Sequence, residues 1–286
     1  MVRNRIHFLL LLLVFSVSSI FAQTDTQAIR KIDFRNFSYN TCFDEDQKTT
    51  RITKGKYQRE IKDGDIKYSV YFEVRAVVYG DLDGDGNEEA VVDTICNSGG
   101  TGQFTDGLVY RMQNGKPVLI GNIGVGDRAD GGLHEVKIVN GLLKVSRYGG
   151  HSGACCPDYI ETSTHKLTGK RLVEIGKPVQ SDYVSKDGDY ATRRVRFARG
   201  TSSTLVKGTT KGQETYLIGA KAGQMMSLKI TGTNANVDLQ APEGADIAQP
   251  KLNQPWSAKL PANGDYKLTI SPPKGTATFT IEVSIK

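Results

Sequence analysis

The residues best placed to do chemistry lie in one short run, Asp81-Leu82-Asp83-Gly84-Asp85-Gly86-Asn87-Glu88-Glu89. Oxygen donors stand at its first, third, fifth, seventh and ninth positions: Asp81, Asp83, Asp85, Asn87 through its backbone carbonyl, and Glu89. That set suits a hard divalent cation, and Gly86 at the sixth position permits the sharp turn such a loop needs. Crowded carboxylates with no counter-ion repel one another, so the spacing points to bound Ca2+. The role expected of the ion is structural. Every donor is used to hold the loop, and no nucleophile or general base stands beside it.

The four cysteines, Cys42, Cys96, Cys155 and Cys156, form a second set. In an oxidising compartment an even count reads as disulfides. Joining adjacent Cys155 and Cys156 demands a strained ring, so Cys42 and Cys96 are each expected to take one of that pair, in an order the sequence leaves open. His151 precedes Cys155 by four residues, with Asp158 beyond, which would suit a cysteine nucleophile or a zinc site. Paired cysteines outweigh that reading, and the chain is expected not to be an enzyme. A hydrolase in the N-terminal domain is the alternative of another class. His134 and His165 fall in alternating strand patterns and are expected at the surface. The Gly-rich stretch 97–102 lacks the Lys-Ser/Thr and following helix of a phosphate loop, and is expected to be a turn.

An oxidising compartment is expected from the first residues. Arg3 and Arg5 precede the apolar run Ile6 to Val17, and small residues lead to Ala22 before Gln23. Residues 1–22 therefore read as a cleavable signal peptide, and the mature chain as secreted or periplasmic. The run is shorter than the roughly 20 residues a membrane span requires, so no transmembrane anchor is expected. No cysteine stands at the cleavage point to carry a lipid.

The elements that must position the acidic loop read as strands. Tyr68, Val70, Phe72, Val74, Ala76 and Val78 alternate with polar residues before the loop, and Ala90 to Cys96 follows it. Hairpins are predicted around Asn114-Gly115, Asn140-Gly141 and Thr168-Gly169. Residues 23–176 thus read as an antiparallel meander, with a helix possible only near Thr26 to Phe37. Alternation stops over 177–192, where Pro178, Asp187, Gly188 and Asp189 gather, and this segment reads as a linker. Period two resumes in Val195 and Phe197, in Met226, Leu228 and Ile230, in Tyr266, Leu268 and Ile270, and in Phe279 to Ile285. Residues 193–286 therefore read as a jelly-roll-like β-sandwich, and the fold class is all-β.

Charge separates these halves. Residues 193–286 hold 13 Lys/Arg against six Asp/Glu, whereas residues 23–192 hold 22 against 25. A basic domain is drawn to anionic surfaces such as an envelope polysaccharide, and Arg193, Arg194, Arg196 and Arg199 form its densest patch. Arg194 and Arg196 are candidate contacts on that ground. No aromatic residues interleave with these arginines in the manner of nucleic-acid binding, so no nucleic-acid partner is expected.

Four resemblances add to this reading. Asp-x-Asp-x-Asp-Gly between two strands is similar to the calcium loops of FG-GAP and related propeller repeats. An EF-hand would need Glu at the twelfth position, which is Val92. Gly80 to Gly86, Cys96 to Gly102 and Cys155 to Pro157 together resemble a group of exported bacterial proteins of unassigned role. In the C-terminal half, Ala222-Gly223-Gln224 and later Leu260-Pro261-Ala262-Asn263-Gly264-Asp265-Tyr266 resemble the bacterial inhibitors of goose-type lysozyme, and also bacterial prepeptidase C-terminal domains, which are non-catalytic sandwiches. The resemblance to the inhibitors implies lysozyme as a protein partner, met by loops around Asn263, Gly264 and Tyr266 and around Ser271 and Lys274. The Ser271–Thr276 connection is shorter than the Arg-bearing segment usual in such inhibitors. The resemblance to prepeptidase C-terminal domains implies a carbohydrate or envelope-adhesion module.

Overall fold

The computed structural model describes residues 26–44, 48–124, 126–150 and 157–286. The expected signal peptide, His151, Cys155 and Cys156 lie outside the described residues. The described chain is all-β. Thr26 to Phe37 forms two single 3-10 turns, Ala28–Lys31 and Phe34–Asn36, in place of one helix. Asp33 caps the second, accepting hydrogen bonds from the Arg35 and Asn36 backbone N–H groups. Two short strands follow, β1 (Ser38–Asn40) and β2 (Thr49–Arg51), paired antiparallel.

A five-stranded antiparallel meander comes next, made of β3 (Lys56–Asp63), β4 (Ile66–Gly80), β5 (Glu89–Asn97), β6 (Phe104–Gln113) and β7 (Lys116–Asn122) in sequential order. A second sheet holds β8 (Leu133–Val139), β9 (Leu142–Gly149), β10 (Tyr159–Thr168) and β11 (Arg171–Glu174), and β12 (Val179–Ser181) also pairs with β10. The hairpins turn where Asn-Gly predicts: Asn114 and Gly115 have φ of 50° and 74°, and Asn140 and Gly141 have 52° and 70°. Two successive positive φ values match the right-handed twist of the flanking strands.

The meander is covered on both faces, which is why β5 is buried almost end to end. One face packs Phe72, Val74, Ala90, Val92 and Tyr110 under Ile29, Phe34, Tyr39 and Ile52 of the N-terminal segment. The other packs Val91, Val109 and Ile120 against Leu133, Val136, Leu143, Val145 and Leu167 of the second sheet. Burial on two faces removes the polar half of the alternation that a half-covered sheet shows. The single alternating face expected from Tyr68 to Val78 breaks at Arg75. Val74 pairs with Thr94 and Ala76 with Asp93, so Arg75 is an extra residue. Beyond this bulge Val77 and Tyr79 join the first core, and Val78 the second. A bulge re-aims its side chain, and that of Arg75 reaches Asp93 at 2.7 Å and the Leu133 carbonyl at 3.0 Å.

The disulfide expectation is corrected. Cys42 is bonded to Cys96, with Cα atoms 6.0 Å apart. The N-terminal segment folds back over the meander and carries Cys42 to the far end of β5, a closure of 54 residues that local spacing does not reveal.

The segment 177–192, read as a linker, is paired on both sides. It holds β12, β13 (Tyr183–Val184) and part of β14 (Tyr190–Arg194). β13 pairs with β14, and β14 runs parallel to β16 (Gln213–Ala220). Also present are β15 (Ser203–Thr210), β17 (Met225–Thr233), β18 (Asn236–Gln240), β19 (Asp246–Ala248), β20 (Pro255–Lys259), β21 (Gly264–Ser271) and β22 (Ala277–Ile285). They form two sheets, ordered β13-β14-β16-β21-β18-β19 and β15-β22-β17-β20. Between them lie Met226, Leu228 and Ile230 of β17, Tyr266, Leu268 and Ile270 of β21, and Phe279, Ile281 and Val283 of β22. These are the period-two residues of the sequence. The two halves meet where Lys267 of β21 pairs with Asp158 at 2.8 Å and the Thr192 hydroxyl donates to the Pro157 carbonyl at 2.9 Å.

Candidate functional site

The acidic loop joins β4 to β5 and is anchored from below. Leu82 is buried in the core between the two N-terminal sheets, and its carbonyl accepts the Leu167 N–H of β10 at 3.2 Å. Gly84 and Gly86 have φ of 82° and 87°, conformations that side chains with a Cβ rarely adopt, so glycine is needed at both. The turn folds around Asp81, whose carboxylate accepts the Gly84 N–H at 2.7 Å and the Gly86 N–H at 3.0 Å. Asp83 accepts the Asp85 N–H at 3.1 Å.

Carboxylate oxygens of Asp81, Asp83 and Glu89 come within 4.8 Å of one another. Glu89 is wholly buried at the start of β5. One of its oxygens accepts the Leu82 N–H at 2.9 Å, and the other accepts Arg111 Nε at 2.8 Å. Burial pushes the Glu89 carboxyl above the ordinary carboxylate range, and these two donors pull part of the way back. The Arg111 guanidinium also donates to Asp83. The cluster thus holds three carboxyl groups, of which Arg111 bonds two. Each carboxylate oxygen has a second lone pair, and a hard cation could be held by Asp81, Asp83 and Glu89 as they stand. Two other expected ligands lie at the surface of the loop. Asp85 and Asn87 are exposed, and Asp85 accepts both the Asn87 N–H at 2.7 Å and its side-chain amide at 3.1 Å.

Arg111 was not among the residues singled out in the sequence. Val91 pairs with Val109, so Glu89 and Arg111, two positions further along, project from the same face of neighbouring strands. Alternation within Gly107 to Met112 separates Arg111 from Tyr110. The register that sets it beside Glu89 depends on how the 98–103 connection closes.

The sandwich places its candidate contacts in two groups. Asn263, Gly264 and Tyr266 are built into the fold. The Asn263 side chain accepts the Ala222 N–H at 2.9 Å, and Gly264 has a φ of 135° with Pro242 packed against it. The Tyr266 side chain is fully buried, and its hydroxyl accepts the Ala262 N–H at 3.0 Å and donates to the Ala262 carbonyl at 2.8 Å. Ser271 is partly exposed and Lys274 exposed, on the turn before β22. In the arginine patch, Arg194 makes two hydrogen bonds to Asp265, at 2.7 and 2.6 Å, and Arg193 lies 3.8 Å from Glu214. Arg196 and Arg199 are exposed.

No family model matches the sequence, and no curated protein matches it significantly. Part of the chain is similar to solved proteins. One is PliG of Aeromonas hydrophila, a periplasmic inhibitor of g-type lysozyme: 30% identity, covering 32% of this chain and 94% of that one, with a TM-score of 0.31. PliG of Escherichia coli, seen as a mutant, is 27% identical over 32% of this chain and 96% of its own, with a TM-score of 0.28. The pre-peptidase C-terminal domain of a Bacillus anthracis collagenase is 18% identical over 29% of this chain and 89% of its own, with a TM-score of 0.24.

Proposed function

We propose that the chain is an exported, non-enzymatic binding protein, secreted or periplasmic, whose C-terminal sandwich inhibits goose-type lysozyme. Asp81, Asp83 and Glu89 hold a structural Ca2+ in its N-terminal half. One observation supports the inhibitor reading: the two sequence segments that carry the family resemblance, some 40 residues apart, fold into a single corner. Gly223 N–H donates to the Leu260 carbonyl at 2.8 Å, Leu260 N–H to the Gln224 carbonyl at 2.8 Å, and Ala222 N–H to the Asn263 side chain. The segments that carry the likeness are thus part of the framework of the sandwich. On this reading the lysozyme contacts fall on Arg196, toward the corner end of the sandwich, and on Ser271 and Lys274 at the opposite end of β21. The test is lysis of a bacterial suspension by goose-type lysozyme, followed by turbidity, with and without the mature chain. Inhibition at micromolar concentration is expected, and full lysis at that concentration would overturn the reading.

A further inference from the structure

Away from the acidic loop and the sandwich corner, two cavities open on either side of an arginine–tyrosine partition. One, about 420 Å³, is lined by Arg75, Gln103, Asp127, Arg128 and Tyr148 among others. The second, about 570 Å³, shares Arg128 and Tyr148 and adds His134, Tyr183 and Asp187. Each falls in the size range of small-molecule sites.

The partition is well defined. Tyr148 on β9 meets the edge of His134 on β8 with ring centres 5.1 Å apart, and of Tyr183 on β13 at 5.9 Å. The Arg128 guanidinium lies 5.4 Å from the Tyr148 ring centre and donates to the Tyr183 hydroxyl at 2.6 Å. Arg128 is exposed, and the contact ties the 126–132 turn to β13. Arg75, re-aimed by its bulge, is neutralised by Asp93. Asp127 and Asp187 line the cavities along with Arg128 and Lys186, so acidic and basic groups balance. Asp127 accepts the Ala129 and Asp130 N–H groups, and Asp187 accepts the Ser185 hydroxyl.

Donors and acceptors therefore alternate around partly exposed aromatic rings with little net charge. A free anion would meet two carboxylates here, and a purely apolar ligand would strand the charged groups. A polyhydroxylated ring suits both features: each hydroxyl donates and accepts, and its C–H surface packs on Tyr148 and His134. We infer that this double cavity binds a segment of neutral glycan, with Arg128, Asp127 and Gln103 bonding hydroxyl groups and Tyr148 supporting the ring. The inference does not depend on the lysozyme reading, because none of these residues belongs to the sandwich corner.

An oligosaccharide array carrying neutral hexose and N-acetylhexosamine chains alongside uronate chains tests it, using the mature chain and the variants Arg128→Gln and Gln103→Ala. Gln103 is exposed, so its truncation leaves the fold intact. Retention on neutral chains, weakened about tenfold by Arg128→Gln and several-fold by Gln103→Ala, is expected. Absence of retention, retention on uronates alone, or retention unaltered in both variants would overturn the inference.

Discussion

Arg111 on β6 holds Glu89 on β5 at 2.8 Å, inside a wall where Glu89 has no exposure to solvent. This pair makes the acidic loop part of the fold and not only a surface turn. Glu89→Ala leaves the buried Leu82 N–H without its acceptor and Arg111 with Asp83 as its remaining partner. The substitution is expected to lower stability by about 1 to 3 kcal/mol in urea unfolding. A loss below about 1 kcal/mol would mean that Arg111 relaxes to solvent and that the pair does not anchor the loop.

The loop should respond to calcium. A ligand that binds only the folded state at 100 times its Kd adds about 2.7 kcal/mol. The melting temperature is expected to rise with millimolar Ca2+ and to fall back with chelator, and Asp81→Asn with Asp83→Asn should abolish the response. An unchanged midpoint in the unaltered chain would argue that Arg111 alone satisfies the cluster.

Acid should loosen the contact between β14 and β21. The Arg194 guanidinium, hydrogen-bonded to Asp265, holds that carboxyl below the ordinary carboxylate range. A carboxylate with a lowered folded-state value contributes stability above its unfolded value, and loses it as pH falls through the folded one. Both side chains are more than a third exposed, so the contribution is modest and screened by salt. Asp265→Asn should flatten the acid limb of a stability profile at low ionic strength and change little at 1 M salt; an equal effect at both would contradict the electrostatic assignment.

Tyr266 should be structural. Tyr266→Phe removes both hydrogen bonds to Ala262 and is expected to cost about 1 to 3 kcal/mol while leaving any lysozyme affinity unchanged once the protein is folded. Chemical denaturation gives the first quantity and a binding titration the second. A folded variant with lost affinity would place the hydroxyl in the contact.

The parts of this fold that are legible in the sequence are those decided locally. Asn114-Gly115 and Asn140-Gly141 demand positive φ and turn where expected, and the alternation of Tyr266, Leu268 and Ile270 marks one buried face of β21. What escaped was decided at a distance. The bulge at Arg75 inverts the facing of β4 without leaving a mark in composition, and Cys42 reaches Cys96 only because the N-terminal segment wraps the meander. At the acidic loop, Asp81, Asp83 and Glu89 were readable from spacing. Arg111 was not, because its place beside Glu89 comes from strand register across a 22-residue separation. Polar residues of 177–192 looked like a linker, yet their backbone completes sheet edges through β12 and β13.

The most direct measurement is a calorimetric titration of goose-type lysozyme into the mature chain, repeated with the double variant Arg196→Ala and Lys274→Ala. The account predicts a one-to-one complex of micromolar affinity or tighter, weakened at least tenfold in the double variant while its melting temperature holds. Absence of binding by the unaltered chain, or affinity unchanged in the variant, would contradict the assignment of those two contacts.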